Sequence, residues 1–116
     1  MKKNIEYYSY ANGYENMKEL LESGTNVTAV FAISDVLAIG ACRAIKDAGL
    51  RIPEDISVVG YDGIDIGKYY NPSLTTLKQP VIEISRASSD LLFDMIIFLS
   101  LSGICPPNHK YQYRIH

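Results

Sequence analysis

The period of the apolar positions changes several times along this chain, and each change marks an element. Tyr14, Met17, Leu20 and Leu21 recur at helical spacing, with Glu15, Lys18, Glu19 and Glu22 as the solvated face. Asn12-Gly13 reads as a turn whose asparagine caps that helix, and Ser23-Gly24 ends it. Ahead of the turn, residues 4–10 are dense in tyrosine and read as a short extended segment. Val27–Ile33 is an almost continuous apolar run, which predicts a parallel strand covered on both faces. Ser34-Asp35 follows, and either residue can cap a helix over Val36–Ala48. That helix is apolar on more than one side. Leu37, Ala41, Ala44, Ile45 and Ala48 form one stripe, and Val36, Ile39, Gly40 and Cys42 lie elsewhere. Two neighbours are expected, the sheet and a second subunit.

Pro53 stops that helix region from running on. Ile56, Val58 and Val59 then make a short strand to Gly60, and Gly60 and Gly63 bracket Tyr61 and Asp62 where the chain must turn. Residues 64–74 read as loop with one helical turn at Ile66–Tyr70, broken by Asn71-Pro72-Ser73. Leu74–Gln79 reads as extended. Pro80 opens a long helix to about Leu101, with Val81, Ile84, Ser88, Leu91, Met95 and Phe98 on one face. Cys105–Asn108 is a loop, and Tyr111–Ile115 alternates weakly, as a last strand would. Helices alternating with strands across short connections predict an α/β fold, a mostly parallel sheet flanked by helices on both faces.

Composition narrows the function. The 116 residues suit one core, and 21% charged residues is ordinary for a globular protein. The net charge of −2 argues against nucleic-acid binding by this chain, which would need a basic face. No apolar run reaches the length of about eighteen residues that a membrane span needs, and no signal peptide follows Met1-Lys2-Lys3. Cys42 and Cys105 match no metal spacing and fit reduced thiols in the cytoplasm.

No catalytic set assembles. His109 and His116 sit in the tail, Ser34 lacks the glycines of a nucleophile elbow, and no cofactor motif occurs. Asp62 and Asp65 are a weak metal pair, since turns use the same residues. Asp62 has two readings. It can form the turn, or it can meet a ligand at the carboxyl end of a strand, where open α/β sheets bind theirs.

Three blocks change that balance. Residues 28–41 (TAVFAISDVLAIGA), 49–62 (GLRIPEDISVVGYD) and 72–80 (PSLTTLKQP), with Gly13-Tyr14 before them, closely resemble the LacI/GalR family of bacterial transcriptional regulators. Their order and spacing are the family's, and together they cover nearly the whole chain. The resemblance implies the C-terminal lobe of a periplasmic-binding-protein-like regulatory domain. The family's DNA-binding headpiece and first lobe have no counterpart in these residues. The expected function is effector sensing and dimerisation in a transcriptional repressor. The alternative is part of a soluble sugar-binding protein of a transport system. An enzyme has no supporting motif.

The family's effector residues carry over as expectations. Tyr8 stands where relatives stack an aromatic ring on a sugar or base. Ser34 holds the polar place before the Asp of the Ser/Asn-Asp step. Asp62 is the carboxylate that accepts hydrogen bonds from effector. Gly63 stands where many relatives have a second acidic or amide residue, and Val81 where some have an aromatic one. The dimer surface is expected at Ile39, Cys42 and Tyr70. The implied partners are a small effector, a sugar or sugar phosphate, and a second copy of the chain. Operator DNA would be met only through the headpiece. No membrane, cofactor or metal is expected. Without the rest of the fold, the chain is expected to self-associate and to bind sugars weakly or not at all.

Overall fold

The computed structural model describes residues 8–102. They form α1 (Tyr10–Glu22), β1 (Ala29–Phe31), α2 (Asp35–Asp47), β2 (Ser57–Asp62), α3 (Ile66–Tyr69), β3 (Thr75–Lys78) and α4 (Val81–Ser102). The chain divides into two compact units between Gln79 and Pro80.

The first unit is built on a parallel sheet of order β1-β2-β3. Val30 pairs with Val58, and Gly60 with Thr76, so these residues share one face. That face meets α2, whose Ala38, Ala41, Ala44 and Ile45 form the core with Met17, Cys42, Ile56 and Val58. The small side chains let the helices come close. Gly13 on α1 and Gly40 on α2 are the contact points. A Cβ at Gly13 would strike the Leu37 carbonyl, and one at Gly40 the Tyr10 carbonyl.

That close crossing corrects the reading of Asn12-Gly13 as a turn. The helix begins earlier, with Ser9 as its cap, and Asn12 N donates to Ser9 Oγ at 3.1 Å. Gly13 is a packing residue inside the helix, selected for its missing side chain rather than for a turn. The proposed extended segment at 4–10 lies mostly outside the described residues, and Tyr10 is already helical. Residues 105–116, with the expected loop, last strand and both histidines, lie outside them too.

The parallel α/β architecture is as expected, but β1 is shorter and less enclosed than its composition suggested. Val30 turns toward the core while Phe31 stays 59% exposed. Phe31, Val59, Tyr61 and Leu77 share the opposite face by register, and Phe31, Tyr61 and Leu77 are solvent-exposed. A continuous apolar run therefore marks a strand with two apolar faces, without saying what covers the second.

The second unit is α4. The Pro80 carbonyl accepts the Ile84 N–H at 3.0 Å, so proline stands at the helix entry, as its fixed φ allows. Along the face that the periodicity marks, Leu91 and Met95 are half-buried and Val81, Ile84, Ser88 and Phe98 are exposed.

Candidate functional site

The carboxyl ends of the three strands bring the polar residues of the first unit together. β1 leads into Ser34-Asp35, β2 ends on Asp62, and β3 leads into Gln79. Ser34 caps α2: its Oγ accepts the Leu37 N–H at 3.3 Å, and the side chain is buried. Capping and effector contact compete for one hydroxyl oxygen, although the O–H remains able to donate.

With Ser34 at the cap, Asp35 is released for another task. It is wholly buried and accepts three hydrogen bonds. Gly63 N and Ile64 N each donate to its Oδ2 at 2.8 Å, and Thr76 Oγ donates to its Oδ1 at 2.5 Å. A buried carboxylate is tolerated when such donors replace water. Gly60 leaves room for it, since a Cβ there would collide with Asp35 Oδ1.

Asp62 stands beside this clamp in a backbone conformation that side-chain-bearing residues rarely adopt, φ +131°. Gln79 holds it from the other side. Its Nε2 donates to Asp62 Oδ1 at 2.6 Å, and its backbone N–H donates to the Asp62 carbonyl at 3.2 Å. Among the described residues no donor meets Asp62 Oδ2. The group is half-buried, so one carboxylate oxygen is committed internally and the other remains for a ligand. Gly63 has φ +77°, and a Cβ there would crowd Lys78. A side chain is therefore excluded at the place where many relatives are expected to carry an acid or amide.

Tyr8 lies in the turn before Ser9 and is largely exposed. Ser34 and Asp62 each neighbour the Asp35 clamp along the chain, Ser34 directly before Asp35 and Asp62 directly before Gly63, but Ser34 bonds the α2 cap and Asp62 bonds Gln79. Asp65 pairs with Lys68 at 2.8 Å on the surface, and this pairing holds its carboxyl below the usual range. Among the described residues no group of three His, Cys, Asp or Glu side chains gathers.

The expected dimer residues separate. Ile39 and Tyr70 line a groove of about 420 Å³ with Tyr10, Tyr14 and Arg43. Lys46 lies 4.7 Å from the centre of the Tyr70 ring and donates to the Asn71 carbonyl, which fixes that wall of the groove. Burial, with a smaller contribution from Cys42, pushes the Tyr70 hydroxyl above its ordinary pKa; Arg43 opposes it. Cys42 turns inward. It is 2% exposed and borders a separate cavity with Ile52, Pro53, Val58 and Leu74. Burial pushes its thiol up, against the nearby Lys46. Its side chain is thus buried within the chain, whereas Ile39 and Tyr70 border the open groove.

Sequence reasoning missed Asp35, Thr76 and Gln79. Asp35 was legible only as an alternative cap. The signal for Gln79 was its place two residues after Leu77 at the end of β3, beside the end of β2. No helix among the described residues is long and apolar enough to cross a membrane.

The sequence matches the periplasmic binding protein-like domain family over residues 3–111. It is 49% identical to the HTH-type transcriptional regulator MalR of Clostridium butyricum, over 77% of this chain and 27% of that protein. A LacI family transcriptional regulator from Enterococcus faecium, solved with bound ribose, superposes with a TM-score of 0.66 at 45% identity; the match covers 78% of this chain and 33% of that one. The lac repressor dimer bound to operator and the anti-inducer ONPF gives a TM-score of 0.70 at 40% identity, over 74% and 30%. The chain thus spans about a third or less of the relatives it matches. The chain belongs to the periplasmic binding protein-like domain family, in the form that LacI/GalR-type regulators carry.

Proposed function

We propose that these 116 residues form the C-terminal lobe of the regulatory domain of a LacI/GalR-type transcriptional repressor, and that the lobe senses a sugar-type effector and dimerises. The observation that carries the reading is Asp62. Its carboxylate stands at the carboxyl end of a parallel strand, one oxygen held by Gln79 and the other without a donor among the described residues. A sugar hydroxyl donating to that oxygen would complete it. Ser34 would add a hydroxyl contact, and Tyr8 an aromatic face for the C–H side of the ring. A second copy of the chain would bury Ile39 and Tyr70.

The relatives named above are transcriptional regulators, which supports the repressor over a transport component. Operator contact would be made by a DNA-binding segment unlike these residues, consistent with their net charge of −2. The effector would act by binding one conformation of the dimer better than another, which shifts the equilibrium between DNA-competent and DNA-incompetent states. The lobe would catalyse no reaction and would work in the cytoplasm.

The test is saturation-transfer NMR on the purified chain with ribose, galactose, their phosphates and adenine. A sugar signal that Asp62→Ala removes supports the reading. Sugar signals that Asp62→Ala leaves unchanged, or a signal from adenine alone, count against it.

A further inference from the structure

We propose that Asp35 is a positioning residue of the effector site, setting where the Asp62 carboxylate stands. The proposal rests on Asp62 being an effector contact. Three observations converge on it. Asp35 is not spent on capping α2, because the Ser34 hydroxyl does that. Its carboxylate is wholly buried, and two of its three donors are the amides of Gly63 and Ile64, the residues directly after Asp62. Asp62 itself has φ +131°, a conformation that must be held from outside the residue.

The clamp supplies that hold. Successive backbone N–H groups converging on one oxygen form an anion-binding nest, and here Asp35 Oδ2 is the anion. Thr76 locks the other oxygen at 2.5 Å and so ties the nest to β3. Gln79, also beyond β3, engages Asp62 Oδ1 at 2.6 Å. With the turn fixed on one side and Gln79 on the other, Asp62 Oδ2 is presented in one place. An asparagine at 35 would keep the shape but lose one acceptor. With its carbonyl oxygen toward the two amides, its NH2 would face the Thr76 hydroxyl, which would have to accept instead of donate, and the bonds to the amides would lose their charge assistance.

The test is NMR of the whole chain and three variants: Asp35→Asn, Thr76→Val and Ser34→Ala. The first two attack the clamp, and the third weakens the α2 cap without touching it. Asp35→Asn should speed amide exchange at Gly63 and Ile64 on the order of tenfold or more, as expected for losing a charge-assisted bond. The deciding signal is the Gln79 side-chain amide, which reports the Asp62 carboxylate. It should move toward its free position in Asp35→Asn and Thr76→Val and stay in Ser34→Ala. A purely structural Asp35 would move it in none of them, or in all three alike, and either result overturns the proposal. Should Asp35→Asn unfold, the near-isosteric Thr76→Val decides alone. D-ribose added to the wild-type chain separates the two readings. If ribose shifts residues elsewhere but leaves the Asp62 region unmoved, while the clamp variants still displace Gln79, the effector reading fails and the positioning role stands.

Discussion

Gly13→Ala is a sharp test of the packing that supports the site, because two effects oppose each other there. Gly13 lies inside α1, where alanine improves helix propensity by about 1 kcal/mol. Its added methyl, however, would meet backbone and not a flexible side chain. The Leu37 carbonyl carbon and Cα would both stand 2.9 Å away, with the carbonyl oxygen nearer still. Ordinary carbon contacts need about 3.5–4.0 Å, so the helices must part by on the order of 1 Å. Overpacking of that kind costs about 1–3 kcal/mol, and rigid backbone on the far side places this case in the upper part of the range. The net expectation is a loss of about 1–2 kcal/mol in urea unfolding followed by circular dichroism. Gly40 faces back across the same crossing, with Tyr14 N 2.8 Å from a Cβ built there. Once Gly13→Ala has parted the helices, Gly40→Ala should cost less, so the double variant should lose less than the sum. Gly24→Ala is the control. It has open space but φ +75°, and its cost should add fully to that of Gly13→Ala. A Gly13→Ala chain as stable as wild type would refute the close crossing.

Other expectations are as direct. In sedimentation, Tyr70→Ala or Ile39→Ala should weaken self-association, whereas Tyr69→Ala, 85% exposed beside them, should leave it unchanged. Asp55 is bound by Arg51, which holds its pKa below the ordinary carboxylate value. A depressed folded pKa means the pair's contribution is present above the unfolded pKa and lost as pH falls through the folded one. Arg51→Ala should therefore raise the Asp55 pKa in a carboxyl NMR titration, and any stability gap from wild type should close in acid. An unshifted pKa would show that the pair does not form. The thiol of Cys42, pushed up by burial, should react with a disulfide reagent at mildly alkaline pH only as fast as the unit opens. In a Cys105→Ser background, labelling in native buffer at the rate of an exposed thiol would contradict its place in the core.

How much of this was legible in the sequence differs by residue. Strand β2 was legible, because β-branched residues between Pro53 and Gly60 leave few alternatives, but it runs on past the expected end at Gly60 through Tyr61 to Asp62. The helical turn at Ile66–Tyr69 followed from its breakers. Asn12-Gly13 misled, since a glycine needed for close packing looks in sequence like one needed for a turn. Asp35 was hidden for a related reason. Ser34 and Asp35 are both good caps, and only the fold decides which one is left to bind Gly63, Ile64 and Thr76. The periodicity of α4 was visible, but periodicity reports a face and not what lies against it. Cys42 was placed on the dimer surface by the family resemblance alone, and no periodicity in the sequence showed that its side chain is buried beside the cavity that Pro53 and Leu74 line.

Effector sensing by this lobe rests on one carboxylate oxygen of Asp62. Following the Asp62 side-chain carboxyl carbon by NMR while D-ribose is added tests it most directly. A saturable shift of that carbon is expected, with the Gln79 side-chain amide still held in place. A carbon that stays still while ribose shifts residues elsewhere in the chain would contradict it.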